Sequence, residues 1–198
     1  LCGAARIVAL DVLADKLAVA DGAGGLVLAA LDANGAPTIT GRFSTVAPAF
    51  GVALTVDTAL VAVGSAGVQA FDLDAAAPPS SLWVVDTADG AVRVTLDGPT
   101  AYVADDRAGV RLLDLTERAS PRLVASIASR GVTVRGEGVF VSGARSTAVS
   151  NGLLSIADGD GGLHLVGVSE PAAPQHLARF PENRYDVIVD SRDTQAVG

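Results

Sequence analysis

The chain has 198 residues, a formal net charge of −8, 49% hydrophobic residues and only 4% aromatics. An acidic balance of this size repels phosphates and argues against nucleic acid as a partner. The apolar residues come in short bursts broken by Gly, Pro, Ser and Thr, even within the uncharged stretches 43–56 and 58–71. Neither is a run of about 18 apolar residues, so no transmembrane helix is predicted. The single cysteine, Cys2, supports neither a disulfide framework nor a thiolate metal site. It follows Leu1, where a lipidated cysteine is expected to follow a small residue.

In chain order, the first unit spans about residues 5–46 and opens on a strand carrying Val8 and Leu10. Its Gly22-Ala23-Gly24-Gly25 segment reads as a hairpin turn, since no helix follows it, and a strand runs on from Gly25 to a loop at Pro37. The second unit, 47–88, repeats this with a first strand at Gly51-Val52-Ala53-Leu54, a third strand led by Gly67, a loop at Pro79 and Trp83 on its last strand. The third unit, 89–130, carries Val94 and Leu96, then Ala101-Tyr102-Val103-Ala104, then Gly109, Pro121 and a last strand over 123–127. The fourth, 131–180, has Gly162 and Pro174, and a partial fifth begins with Asp186-Val187-Ile188-Val189 and runs to Gly198.

The leading glycines Gly25, Gly67, Gly109 and Gly162 are 42, 42 and 53 residues apart, and Pro37, Pro79, Pro121 and Pro174 keep the same intervals. Two independent markers in one register make chance a poor explanation. Four short strands in a unit of about 40 to 45 residues is the signature of a propeller blade. The expected fold is therefore all-β: a β-propeller of four-stranded antiparallel blades, about four and a half of them, forming an incomplete ring. The remaining blades are expected from the parent chain. The leading glycine follows a tight turn that needs φ > 0, and the proline sits between strands, where a missing N–H does no harm.

The blocks Ala101-Tyr102-Val103-Ala104-Asp105, then Gly109-Val110-Arg111-Leu112-Leu113-Asp114-Leu115-Thr116 and Pro121, resemble the LVIVD repeat, as does Ile156-Ala157-Asp158-Gly159-Asp160-Gly161-Gly162-Leu163. The resemblance covers nearly the whole chain and departs at Gly64 and Gly167, where the family carries Asp. It implies a propeller domain of a bacterial or archaeal protein, at the cell surface, periplasmic or otherwise exported, and it implies little about activity.

The fourth interval has a surplus. The hairpin 131–134 and 139–142 matches the first two strands of the third unit at an offset of 38, against 53 for the third strand, which leaves about 15 residues inserted within 143–161. Residues 144–160 are then expected to be a mobile loop on the face of the second-to-third-strand turns. The insertion is either neutral or a binding loop. A second alignment makes 153–157 the second strand and moves the insertion earlier; the first is preferred because 139–142 has its own hairpin partner.

The same face collects Asp21, Asp105, Asp106, Asp158 and Asp160, the candidate binding residues. The Asp158-to-Gly162 segment lacks the third acid and closing Glu of a calcium loop, so structural turns are expected there, with no metal and no cofactor. Catalysis in a propeller sits at the channel mouth, where the first strands offer Val8, Leu10, Val52, Leu54, Val94, Leu96, Val132, Val134, Val187 and Val189. No nucleophile–base pair stands among them, and no catalytic residue is assigned. His164 and His176 fall on third and fourth strands, as surface or packing residues, and Trp83 packs on an outer strand. Arg179 and Arg184 are expected in solvent. The reading is a non-catalytic interaction module for a protein or glycan; the alternative is a hydrolase, lactonase or quinoprotein-like enzyme whose catalytic residues lie in other blades.

Overall fold

The computed structural model describes residues 6–73, 79–129, 132–135, 138–159 and 161–180, and among these residues there is no helix. The expected partial fifth unit lies outside them. Strands β1 (Ala9–Leu13), β2 (Lys16–Ala20), β3 (Leu26–Leu31) and β4 (Pro37–Phe43) form the first sheet in sequential antiparallel order. The second is β5 (Gly51–Leu54), β6 (Thr58–Ala62), β7 (Val68–Asp72) and β8 (Ser80–Val85); the third is β9 (Arg93–Asp97), β10 (Thr100–Ala104), β11 (Val110–Asp114) and β12 (Arg122–Ile127). The fourth sheet has five strands: β13 (Val132–Arg135), β14 (Gly138–Ser150), β15 (Leu153–Gly159), β16 (Leu163–Gly167) and β17 (Gln175–Phe180). These are propeller blades: β1 lies against β5, β5 against β9 and β9 against β14, and among the described residues the sheets do not close a ring.

Burial explains why the middle strands read as unbroken apolar runs. Every residue of β6 and β10 is buried, because blades two and three are each sandwiched between two others. One layer joins Ala18, Ala20 and Leu26 of blade one to Val52, Leu54 and Val61 of blade two. The next joins Leu60 and Val68 to Val94, Val103 and Leu113, and the third joins Tyr102 and Leu112 to Leu154, Ile156 and Val166. The outer strands β4, β8 and β12 are mostly exposed or half-buried and carry the polar residues. A bulge between third and fourth strands recurs at Leu28/Ala29, Ala70/Phe71, Leu112/Leu113 and Leu165/Val166, in the register of the sequence repeat, and adds twist at the rim.

The fourth blade corrects the expected insertion. Isolated bridges join Gly22 to Ala49, Gly64 to Ala91 and Asp106 to Ala144, so Ala144 marks the entry to the fourth blade as Ala49 and Ala91 mark theirs. The innermost strand is therefore the second half of β14, β15 is the second strand, and residues 144–159 are two paired strands, not a loop. The extra chain is the hairpin of β13 with the first half of β14, which precedes the blade. Val132 and Val134 thus stand on the added strand, and Thr147 and Val149 hold the register of Val94 and Leu96. Thr147 tolerates this apolar seam because its hydroxyl lies 2.8 Å from that of Thr95. The expected channel residues Val187 and Val189 lie outside the described residues.

The predicted glycine geometry holds. Gly25, Gly67, Gly109 and Gly162 have φ of +78°, +82°, +86° and +82°. A Cβ on Gly67 would also strike the Val85 carbonyl and come within 2.8 Å of the Thr87 amide, because the chain leaving the blade crosses directly over it. Gly35 shares the φ of +78° but faces open space. Gly67→Ala should therefore destabilise by more than about 2 kcal/mol, and Gly35→Ala by only about 1 kcal/mol, measured by urea unfolding. Equal losses would show that the crossover does not press on Gly67.

Asp114 closes a tight turn after β11: its carboxylate accepts the Thr116 hydroxyl at 2.6 Å, the Thr116 amide at 2.9 Å and Arg122 Nη2 at 2.8 Å. The Thr116 hydroxyl first, then its amide and Arg122, hold the carboxyl down at about 2. A depressed folded-state value gives stability that is present above the ordinary 3.8 and lost as pH falls through about 2. Asp114→Asn should remove that part of the acid sensitivity, so unfolding midpoints of variant and parent converge between pH 3.8 and about 2.

Candidate functional site

The four turns between second and third strands share one backbone design. Asp21, Val63, Asp105 and Asp158 each take a hydrogen bond from their own amide to the carbonyl of the leading glycine, at 2.7 to 2.8 Å. The next residue is left-handed in every turn: Gly22, Gly64, Asp106 and Gly159, with φ of +50°, +59°, +44° and +53°. Its carbonyl accepts the amide of the next blade's entry residue, Ala49, Ala91 or Ala144, at 2.8 to 3.0 Å. The turn face is thus also where neighbouring blades are stitched together.

The described candidate acids stand on this face in blades one, three and four, with none in blade two, and they do not converge on one pocket. Asp21, Asp105 and Asp158 are buried and Asp106 is partly exposed; Asp160 lies outside the described residues. The buried carboxylates hold the chain that enters their blade. Asp105 Oδ2 accepts the Ala88 amide at 2.9 Å and faces Arg111 Nε at 3.3 Å. Asp158 Oδ1 accepts the Ser129 hydroxyl, and Oδ2 lies 3.2 Å from His164 Nε2. In blade two the acid is replaced by Val63, and Gln69 takes over: its Oε1 accepts the Val46 amide at 2.9 Å. In blade one Asp21 pairs with the exposed Arg42 at 3.5 Å. Residues 69, 111 and 164 occupy one register position, so Gln, Arg and His serve the same turn with different chemistry.

His164 is thus a buried residue that supports a turn, with His176 edge-on to it at 5.6 Å. Sequence spacing did not show its pairing with Asp158, which arises across β15 and β16. Ser129, Asp158 and His164 meet in a small recess between blades three and four, walled also by Gly109, Ile127 and Ala144. The carboxylate stands between the hydroxyl and the imidazole. A nucleophile relay needs the base in that middle position, so these three do not form one. Arg179, expected in solvent, is half-buried and donates to the Gly161 carbonyl at 2.7 Å; Arg184 lies outside the described residues.

Trp83 packs between blades two and three and donates its indole N–H to the Arg118 carbonyl at 2.8 Å. Arg118 itself reaches across to blade two, bonding Thr58 Oγ1 at 2.9 Å, the Asp57 carbonyl at 2.8 Å and the Asp72 carboxylate. Burial works against the ionised Asp57 but is outweighed by the Thr55 and Thr58 hydroxyls and by Arg118, which hold its carboxyl below the ordinary value. Among the described residues no three His, Cys, Asp or Glu side chains are grouped to hold a metal ion, and no helix is long and apolar enough to cross a membrane.

What distinguishes the fourth blade is on the turn face. β14 enters the blade from that face, so its first half and β13 extend beyond the turns as an added hairpin. At its foot, Asp106 holds a left-handed conformation where its three counterparts are glycine, Gly143 leaves room for its carboxylate, and the exposed Arg145 lies 3.4 Å away. The second alignment, with 153–157 as the second strand and the insertion earlier, is the one the strand pairing bears out, while the role of Arg145 was not legible from the repeat. Asp105→Ala should strip the Ala88 amide and Arg111 of their shared acceptor and cost about 1–3 kcal/mol in urea unfolding. Asp106→Gly should be neutral or stabilising by up to about 1 kcal/mol. A loss at Asp106 as large as at Asp105 would make the exposed acid a structural clamp as well.

No curated protein matches the chain. A functionally unknown protein from Desulfotomaculum acetoxidans DSM 771 has a similar solved structure, with a TM-score of 0.65 and 12% identity over 89% of this chain and 56% of that one. A protein from Lactobacillus plantarum is similar with a TM-score of 0.66 and 16% identity over 81% of this chain and 50% of that one. The chain spans about half the length of each, and at these identities the likeness concerns fold alone. The LVIVD repeat family model matches residues 90–129 and 142–180, which places the start of the fourth unit after the added hairpin, as the strand pairing does. Residues 90–129 and 142–180 thus match the LVIVD repeat, and the chain is a β-propeller array whose first two blades keep the same register.

Proposed function

We propose that this chain is a non-catalytic interaction module of a cell-surface or exported protein, and that it takes a protein or glycan partner on the turn face around the β13–β14 hairpin. The observation that carries the reading is the hairpin itself. The turns of the repeat hold the array together, and the buried acids among them serve that task. The hairpin is not needed for it: the stitch to Ala144 follows the added chain and matches the stitches to Ala49 and Ala91. Added chain on a rigid repeat scaffold is where binding function is commonly carried. The family resemblance supports an exported location.

The crossover from Val85 to Ala91 has five intervening residues, against 16 from Ile127 to Ala144. Deleting residues 132–142 restores the shorter length. The variant should keep the parent's unfolding midpoint and lose the parent's binding profile on arrays of surface glycans and extracellular proteins. Unchanged binding would sink the assignment to the hairpin. Saturable turnover of lactone or ester substrates by the parent would replace the interaction module with an enzyme.

A further inference from the structure

The side chain that supports the turn carries a different charge in blades two, three and four. Gln69 is always neutral and Arg111 always cationic. His164 can be either, because imidazole is the ordinary side chain that changes charge between about pH 5 and 8. What each faces follows the same order. Val63 leaves Gln69 without an acid in its turn, whereas Arg111 Nε lies 3.3 Å from Asp105 and His164 Nε2 lies 3.2 Å from Asp158. Asp158 is 2% exposed and His164 5%, and neither Asp158 Oδ2 nor His164 Nε2 has a hydrogen-bond partner elsewhere among the described residues. The elements around the imidazole are all accounted for among those residues. β15 supplies Asp158, and the crossover out of blade three supplies the Ser129 hydroxyl, held on Asp158 Oδ1. β17 supplies His176, edge-on, and Arg179, whose Nε is committed to the Gly161 carbonyl at 2.7 Å. Val110, Ile127, Ala144 and Ile156 add apolar wall.

We propose that His164 and Asp158 form a proton-operated latch on the junction that carries the β13–β14 hairpin. With a proton added, the imidazolium sets a cation against the buried carboxylate, as Arg111 does permanently in blade three. Asp158 then holds Ser129, and with it the start of the crossover, in a fully paired turn. A neutral imidazole can still donate one hydrogen bond to Oδ2 but brings no charge to match the carboxylate. The closed junction therefore favours the protonated ring, and by linkage closure strengthens as pH falls through the imidazole range. The latch stands at one end of the added chain and the Ala144 stitch at the other. As regulation of a binding hairpin the inference rests on the function proposed above; the proton linkage itself does not.

Amide hydrogen exchange on the full chain tests this without any partner, at about pH 5.5 and 7.5 on either side of the imidazole range. Protection is expressed relative to the unfolded chain, which removes the intrinsic pH dependence of exchange. The amides of Asp158, Gly161 and Gly162, which close the turn, should be protected about tenfold more at the lower pH, the scale of a hydrogen bond to a charged group. His164→Gln, the blade-two residue, should remove the difference. His164→Arg, the blade-three residue, should keep the higher protection at both pH values. His176→Gln should leave the difference in place, and with two histidines in the chain these variants cover every imidazole. Equal protection of the parent at both pH values overturns the latch. So does a difference that survives His164→Gln and vanishes in His176→Gln. A hairpin that binds nothing would remove the proposed function and leave the latch standing.

Discussion

One close approach organises this molecule: the chain leaving each blade passes directly over the glycine that follows the turn. At Gly67 the Val85 carbonyl and Thr87 amide occupy the space a side chain would need, and Gly109 stands in the same relation to Ile127 and Ser129. The glycine's left-handed backbone sets the turn, and its missing side chain sets the path of the crossover. That path then delivers the entry residue to the carbonyl of the preceding turn, as at Ala91 and Gly64. Turn, crossover and blade spacing are therefore one geometric unit, and for this reason the glycine interval reports the period of the whole array.

The polar chemistry around this unit is interchangeable in a way the backbone is not. Gln69, Asp105 and Asp158 each fix the entering chain, through an amide, a carboxylate with Arg111, and a carboxylate with Ser129 and His164. The requirement is an acceptor under the crossover, and several side chains meet it. A buried amide or hydroxyl left without that acceptor would cost about 1–3 kcal/mol, enough to keep the position polar and too little to fix its identity.

Two consequences follow for reading the sequence. Markers with a steric cause, Gly25, Gly67, Gly109 and Gly162, gave fold and period directly, and the bulges at Leu28, Ala70, Leu112 and Leu165 fall in the same register. Hydrophobic pattern misled at the fourth blade. The valine alternation of 132–141 has the look of an inner pair, whereas the true inner strand carries Ser146, Thr147 and Ser150 and resembles a loop. The hydroxyl contact between Thr95 and Thr147 makes those polar residues compatible with the seam, and such a partner 52 positions away is invisible to local periodicity. The turn acids were visible as acids, but their burial depends on the crossover above them.

The position of the added hairpin shows where this architecture can change its length. The crossover into blade four is fixed at one end by its passage over Gly109 and at the other by the stitch from Ala144 to Asp106. Chain between two fixed points can grow at an entropic cost that rises only logarithmically, by about 0.6 kcal/mol per doubling. The same two anchors bracket the crossovers at Gly25 and Ala49 and at Gly67 and Ala91. Each blade junction is therefore a site where gene insertions can be accepted without disturbing a neighbouring blade, and a family built this way can diversify one face while its frame stays constant.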